Sequence, residues 1–153
     1  MDKEHICCVT GHRDIPTEKI TYVKNQLHYE LLQAIQNGYT HFISGFASGV
    51  DLIFAGIVVD LKGKYPITLE AAIPYPGRLN TPDETFQHLL KDCDVVKVHT
   101  EQYSKNCYMM RNRYMVDCSS LVVAVHDGRK SGGTAATIRY AYRTKRIVKE
   151  IKL

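Results

Sequence analysis

The chain has 153 residues, of which 44% are hydrophobic and 24% charged, and its formal net charge is +4. This length predicts one domain, residues 1–153, and the composition excludes a disordered or fibrous chain. No apolar run approaches the ~20 residues that a membrane span requires. Because the charged first residues lead directly into a strand pattern, we expect no secretory signal, no membrane partner and a cytoplasmic location.

The mild positive charge suits a small anionic ligand and does not require nucleic acid. Basic residues cluster late in the chain, where we interpret them as a solvated helix end and final strand. These residues are Arg139, Arg143, Lys145, Arg146 and Lys149.

The five cysteines have no spacing typical of a metal site. Cys7 and Cys8 are adjacent in a predicted strand, so their side chains should point to opposite faces of the sheet. The scattered remainder predicts reduced thiols. We expect neither a metal ion nor a cofactor.

Strand and helix patterns alternate along the whole chain. In chain order they are strand 6–9, helix 20–35, strand 41–43, helix 50–61, strand 68–73, a helix from 81, strand 94–98, helix 106–117, strand 120–125, a helix from 132 and strand 146–151. The first helix should end at Asn37-Gly38. Thr81, Pro82 and Glu84 form a capping box with proline at the first helical position, which marks the start of the third helix.

Strands separated by helices predict an α/β, Rossmann-like, three-layer sandwich with a parallel sheet. We predict the strand order 3-2-1-4-5, with the sixth strand beside strand five. Strand five is continuously apolar, as expected of a buried parallel strand. Ligands of such sheets bind beyond the carboxyl ends of the strands where the order reverses, which in this arrangement lies between strands one and four.

A first loop, residues 10–13, follows strand one and should reach that point. Thr10 and Gly11 allow close approach of a ligand to the backbone, and His12 or Arg13 could meet an anion. The alternative is a tight turn with exposed polar residues.

A second loop, residues 44–51, leads from strand two into the start of a helix, where free N–H groups favour an anion. The loop begins with Ser44 and contains Gly45 and Gly49. This spacing matches neither a dinucleotide fingerprint nor a phosphate loop. Asp51 in the first helical turn would repel a phosphate. It either stabilises the helix end or accepts hydrogen bonds from ribose hydroxyls.

A third loop, residues 126–134, joins buried strand five to the last helix. Its glycines, Gly132 and Gly133, lie between Ser131 and Thr134 and could form a backbone anion nest, with Arg129 adding positive charge. The alternative is a flexible connection.

The helix before strand five carries two arginines, Arg111 and Arg113. Residues two apart on a helix do not share a face, so only one of them should reach the ligand. Met115 and Val116 should pack in the core.

Together these motifs resemble the SLOG superfamily, named for the DprA/Smf and LOG proteins, and most closely its YpsA-type branch. The resemblance rests on residues 9–13, 43–45, 49–51, 111–117 and 131–134 and runs through nearly the whole chain. It implies a nucleotide-binding domain and a homodimer.

Two relatives imply different activities. LOG enzymes cleave the N-glycosidic bond of nucleoside monophosphates and carry a P-G-G-x-G-T-x-x-E motif after an arginine that Arg111 matches. This chain keeps Gly132 and Gly133 of that motif, but Arg139 stands at the position of the catalytic glutamate. The remaining departures are Ser131, Ala135 and Ala136. Other carboxylates that could replace the acid are Asp51, Asp117 and Asp127.

DprA-like proteins bind single-stranded DNA, and residues 111–113 and 131–132 also resemble their R-N-R and S-G motifs. Such binders usually combine a basic groove with aromatic platforms, which the tyrosine spacing here does not predict. Other SLOG modules sense nucleotide signals, including ADP-ribose derivatives. A single domain that keeps the pocket without the catalytic acid suits a sensor or a sequestering protein of such a ligand, and this is our leading interpretation.

Overall fold

The computed structural model describes residues 2–153. The strands are β1 Ile6–Gly11, β2 His41–Ser44, β3 Thr68–Ile73, β4 Val95–Val98, β5 Leu121–His126 and β6 Ile147–Lys152. The helices are α1 Ile20–Gln36, α2 Val50–Lys62, α3 Glu84–Lys91, α4 Cys107–Cys118 and α5 Gly133–Arg143. Within this described part of the chain, no helix has the length and apolar character needed to traverse a bilayer.

The strands form one parallel sheet in the order β4-β3-β2-β1-β5-β6, with helices on both faces. Helices α1, α2 and α3 contribute Leu27, Val58 and Phe86 to the larger core on one face. Helix α4 contributes Met115 to the smaller core on the other face. Side chains alternate along β1, so Cys7 lies in the first core and Cys8 in the second, as predicted. The α/β Rossmann-like fold and the sixth strand beside β5 are confirmed.

The place of β4 differs from the predicted order. It pairs with β3 at the edge of the sheet, and β5 takes the position beside β1. Burial explains the difference, because Val95 and Val96 of β4 remain 39% and 44% exposed whereas the apolar residues of β5 are buried. The strand order therefore reverses between β1 and β5, not between strands one and four.

Helix α3 also starts differently from its predicted capping box. Asp83 is the cap, and its carboxylate accepts a hydrogen bond from the Phe86 N–H at 3.2 Å. Because Pro82 disfavours helical backbone at the residue before it, Thr81 is extended and ends a short 3-10 turn over Pro76–Asn80. The predicted end of α1 is correct, with Gly38 in a left-handed conformation at a φ of 93°.

Candidate functional site

A cavity of about 310 Å³ lies at the carboxyl ends of β1 and β5, where the strand order reverses. We call it the switch-point cavity. Predicted site residues that line it are Thr10, Gly11, His12, Arg13, Asp51, Arg111, Ser131, Gly132, Gly133 and Thr134. Arg129, which the sequence suggested as an added positive charge of the third loop, lines it as well. Sequence reasoning did not assign the other lining residues to the site, namely Val9, Asp14, Ala47, Tyr108, Asn112 and Met115.

The remaining predicted residues, Ser44, Gly45 and Gly49, support the wall from behind. The Ser44 hydroxyl donates to the Asp51 carbonyl at 2.8 Å and ties the second loop to α2. Gly49 has a φ of 83°, and a Cβ there would lie 2.6 Å from the His12 carbonyl oxygen. A Cβ at Gly45 would lie 2.8 Å from the Arg111 guanidinium. Glycine at these two positions therefore allows the loops to pack closely.

The start of α2, which the sequence suggested as an anion site, is partly occupied by the chain's own groups. The Val50 N–H donates to the His12 carbonyl at 3.2 Å, and the Asp51 carboxylate accepts from the Ala47 N–H at 3.2 Å. Gly11 makes this approach possible, because a Cβ there would lie 2.5 Å from the Val50 side chain. The second loop thus closes one side of the cavity, with the first N–H of α2 already bonded within the chain.

The start of α5 is open. Its cap residue, Gly132, has no side chain, and the first helical hydrogen bond is donated by the Ala136 N–H. The earlier N–H groups, of Gly133, Thr134 and Ala135, find no acceptor within residues 2–153. A Cβ at Gly133 would meet only the Asn112 amide, at 4.0 Å. Free N–H groups at a helix start, together with the helix dipole, favour an anion.

Arg111 is 4% exposed and holds the cavity wall together. Its Nη1 donates to the carbonyls of Gly45 at 2.6 Å and Ala72 at 3.1 Å, and its Nε donates to Asn112 Oδ1 at 2.8 Å. Burial lowers the pKa of its guanidinium, while the nearby Asp51 charge opposes that change. Arg111 is thus a structural residue as well as a cation of the cavity, and exposed Arg113 lies on another face, as the spacing predicted.

Tyr108 lines the cavity and contacts another tyrosine that is distant in the sequence. Tyr75 packs edge-on against Tyr103 and Tyr108, with ring centroids 5.3 and 6.2 Å apart. The Arg13 guanidinium lies over the Tyr108 ring, 5.2 Å from its centroid. Tyr108 precedes Arg111 by three residues on α4, and this shared helical face was the signal that could have identified it.

His12 joins the first loop to the third. Its Nε2 lies 3.2 Å from the Asp127 backbone nitrogen and 3.2 Å from Asp127 Oδ1. Burial and then the Arg129 charge lower the pKa of His12, which favours the neutral ring that accepts from the Asp127 N–H. Arg129 donates hydrogen bonds to the Asp127 carboxylate from Nε at 3.0 Å and from Nη2 at 2.6 Å. These bonds hold the pKa of Asp127 well below its usual range. Asp127 is therefore ionised and paired, and it does not line the cavity.

Asp51 is the candidate acid that does line the cavity. Asp51 is 8% exposed, and burial raises the pKa of its carboxyl to about 6, although Arg111 and the Ala47 N–H act in the opposite direction. A carboxyl group with such a pKa can exchange protons near neutral pH. Asp117 instead accepts a hydrogen bond from the Tyr140 hydroxyl at 2.6 Å, outside the cavity lining.

Arg139, at the position of the LOG glutamate, is exposed and lies outside the lining of the cavity. Its Nη1 donates to the Lys130 carbonyl at 2.9 Å. Among residues 2–153, side chains close enough to share a metal ion occur at Asp2, Glu4 and His5. They are exposed at the amino end of β1, at the opposite edge of the sheet from the cavity.

A family model described as the YspA SLOG family (YpsA) matches residues 7–151. The chain belongs to this family. Among relatives of this SLOG protein, the SPbeta prophage-derived protein YoqJ of Bacillus subtilis (strain 168) is 34% identical over 128 residues, which are 71% of this chain and 72% of YoqJ. The UPF0398 protein SH1465 of Staphylococcus haemolyticus (strain JCSC1435) is 22% identical over 121 residues, 74% of this chain and 65% of SH1465.

Solved structures share the fold at low identity. DNA processing protein A (DprA) of Streptococcus pneumoniae has a TM-score of 0.74 and 18% identity, covering 99% of this chain and 51% of that one. DprA of Helicobacter pylori, described as a single-stranded DNA binder, has a TM-score of 0.71 and 16% identity, covering 99% of this chain and 66% of that one. The protein TM1055 has a TM-score of 0.59 and 17% identity over 97% of this chain and 72% of its own. The SLOG chain thus spans about half of pneumococcal DprA, and these likenesses concern the fold.

Proposed function

We propose that this SLOG protein binds a nucleotide-derived small ligand in the switch-point cavity and acts by sensing or sequestering it. The observation that carries the proposal is the uncapped start of α5, where Gly133 and Thr134 line the same cavity as Arg13 and Arg129. The ligand would be an ADP-ribose-type or cyclic nucleotide signal, as in bacterial or phage immune signalling. The prophage origin of its relative YoqJ supports such a setting.

The lining suggests how each part of a nucleotide would be held. The free N–H groups of Gly133 and Thr134 would bind a phosphate, and Arg13, which forms no ion pair among residues 2–153, lines the same cavity. Tyr108 and the Arg13 guanidinium that lies over its ring offer planar groups against which a base could stack with little preference for its identity. Asp51, when ionised, would accept hydrogen bonds from ribose hydroxyls.

The first test is a thermal-shift screen with AMP, ADP-ribose, NAD and cyclic nucleotides, including cyclic ADP-ribose. A ligand at 100 times its dissociation constant should stabilise the fold by about 2.7 kcal/mol. For a domain of this size that corresponds to a rise in Tm of roughly 5–10 °C. No change in Tm with any of these nucleotides would contradict the proposal.

Gly133→Val tests the location of the site. A Cβ at this position meets only the Asn112 amide, at 4.0 Å, so the protein should fold while the valine side chain takes up space in the cavity. We expect at least a tenfold loss of affinity by calorimetry, about 1.4 kcal/mol. Gly56→Val is the matched control, because it adds the same side chain in the middle of α2 with nothing within 4 Å. Normal binding by folded Gly133→Val would place the site elsewhere.

A second candidate function is hydrolysis of the N-glycosidic bond of a nucleoside monophosphate, as in LOG enzymes. It is favoured by Asp51, whose raised pKa of about 6 and position in the cavity suit a replacement acid. Chromatography after incubation with AMP and cytokinin monophosphates would detect the free base. We expect no turnover, because Arg139 occupies the glutamate position. Turnover that Asp51→Asn abolishes would establish the hydrolase instead.

Single-stranded nucleic acid is the third candidate, motivated by the fold shared with DprA. Binding through phosphates weakens steeply with salt, because counterions are released. We expect only weak, salt-sensitive retention of an oligonucleotide such as dT20. Tight binding at physiological salt would favour a DprA-like role.

A homodimer is part of the same proposal and rests on the family resemblance. Light scattering coupled to gel filtration measures the mass in solution. The expected value is twice the 17.4 kDa of one chain. A value of one chain mass at all concentrations would contradict it.

A further inference from the structure

A second groove, of about 390 Å³, opens beside the switch-point cavity and is lined by residues of α4 and α5. It shares Tyr108, Asn112 and Gly133 with the cavity, so the two adjoin along these residues. Its charged lining residues are Lys105, Arg113, Arg139 and Arg143, and we call it the basic groove. The two volumes are each within the range of small-ligand pockets.

The cations of the basic groove have no acidic partner. Within residues 2–153, none of the four forms an ion pair, and no carboxylate lines the groove. By contrast, Arg129 in the switch-point cavity is paired with both Asp14 and Asp127. Like charges gathered without counter-charges repel one another, and a bound anion relieves that repulsion.

Contacts with neighbouring groups restrain the arginine side chains of the basic groove. The Arg113 and Arg143 guanidiniums lie against the Tyr140 ring at 4.8 and 5.4 Å from its centroid. The Tyr140 hydroxyl is held by Asp117 at 2.6 Å, and Arg139 is held by the Lys130 carbonyl at 2.9 Å. Side chains restrained in this way lose less entropy when they bind a phosphate.

We propose that the basic groove is a second phosphate subsite and that the ligand is a nucleotide with at least two phosphate groups. This inference rests on the proposed function of the switch-point cavity. One phosphate binds the start of α5, Tyr108 and Gly133 lie at the junction, and a second phosphate meets Arg139 and Arg143. Buried Arg111 and Asp51 line the cavity, so a ligand ends there, which suits a dinucleotide better than a long strand passing through.

Calorimetry with one-phosphate and two-phosphate probes tests the subsite. AMP is compared with ADP-ribose, NAD, the linear dinucleotide pApA and cyclic di-AMP. At least one two-phosphate probe should bind the unaltered protein about tenfold tighter than AMP or better, since charge-assisted hydrogen bonds have this strength. In Arg139→Ala/Arg143→Ala that advantage should disappear while AMP affinity changes less than about twofold.

Lys24→Ala/Lys149→Ala is the matched control, because both lysines are exposed and lie outside the two cavities while the charge change is the same. It should bind every probe as the unaltered protein does. Arg143→Glu provides a single variant with the same expected loss, and circular dichroism checks that each variant folds.

Four results would overturn the inference. Equal affinity for AMP and every two-phosphate probe removes the second subsite but leaves the proposed function intact. An equal loss in the lysine control reduces the effect to net charge. If dT20 binds more tightly than pApA and Arg139→Ala/Arg143→Ala weakens it, the ligand is a nucleic acid strand. Absence of binding by all probes, AMP included, overturns the proposed function together with the subsite.

Discussion

Asp51 is a buried carboxyl group whose protonation should affect the stability of the whole domain. Burial raises its pKa from 3.8 to about 6. Between these values the folded chain holds a proton that the unfolded chain has released, so the free energy of unfolding falls as the pH rises through this window. Each pKa unit corresponds to about 1.4 kcal/mol, so the loss is about 3 kcal/mol at most.

Asp51→Asn removes this titration. We therefore expect the variant to gain about 1–3 kcal/mol relative to the unaltered protein between pH 4 and pH 7.5. Urea denaturation of both proteins at the two pH values measures the difference. Carboxylates with lowered pKa, such as Glu70 and Asp94, change the free energy of unfolding with pH in the opposite direction. They are present in both proteins, so their contributions cancel in the comparison. Parallel pH profiles for the two proteins would contradict the assignment.

Arg111 should matter for folding as well as for ligand binding. Truncation to Arg111→Ala leaves the carbonyls of Gly45 and Ala72 without their donor in a buried setting, at a cost of roughly 2–4 kcal/mol. Exposed Arg113 stacks only on Tyr140, so Arg113→Ala should cost less than about 1 kcal/mol. Urea denaturation of the two variants measures the contrast. Equal small losses would show that the buried carbonyls find other donors.

At the scale of elements, the site depends on how closely α2 approaches the loop after β1. Gly49 has a φ of 83°, and its Cβ position lies 2.6 Å from two backbone oxygens, those of His12 and Arg13. Gly128 has a similar φ of 87° but nothing within 4 Å. Substitutions at these two glycines therefore distinguish the cost of backbone strain from the cost of a steric clash.

We expect Gly128→Ala to destabilise the protein by about 1–2 kcal/mol, which is the cost of the left-handed backbone conformation alone. Gly49→Ala should cost clearly more, because backbone atoms cannot move aside as a flexible side chain can. Thermal unfolding followed by circular dichroism compares the two. If Tm decreases by the same amount in both variants, the second loop adjusts freely and does not define the cavity wall.

At the scale of the whole molecule, the sheet has a protected centre and two edge strands, β4 and β6. Strand β1 is paired on both sides and buried, whereas Val95 and Val96 of β4 are exposed at the edge. Amide hydrogens of β4 should therefore exchange well before those of β1, because local opening there exposes little additional surface. Hydrogen exchange followed by mass spectrometry resolves the two strands. Equal protection would mean that β4 is covered in solution, as in a dimer joined at that edge.

Much of the architecture could be read from local patterns. The apolar spacing between Ile20 and Ile35 predicted α1, and continuous apolar residues predicted β5 as a buried strand. Glycines after the strands marked the loops near the cavity, and the family resemblance drawn from them is confirmed by the family match. The place of β4 could not be read in this way. It depends on side chains elsewhere, with the Asp94 carboxylate accepting from the Leu69 N–H at 2.8 Å and pairing with Lys62 at 2.7 Å.

The sequence by itself determined the order and type of the elements, because helix and strand periodicity involve residues only a few positions apart. Only the tertiary structure decided which groups share the cavity. Arg111 bonds Gly45 across 66 residues, and His12 bonds Asp127 across 115. It also brought Arg139 and Arg143, which the sequence suggested were merely solvated, into one groove with Arg113. Such contacts arise from strand order and helix packing, which no local pattern encodes.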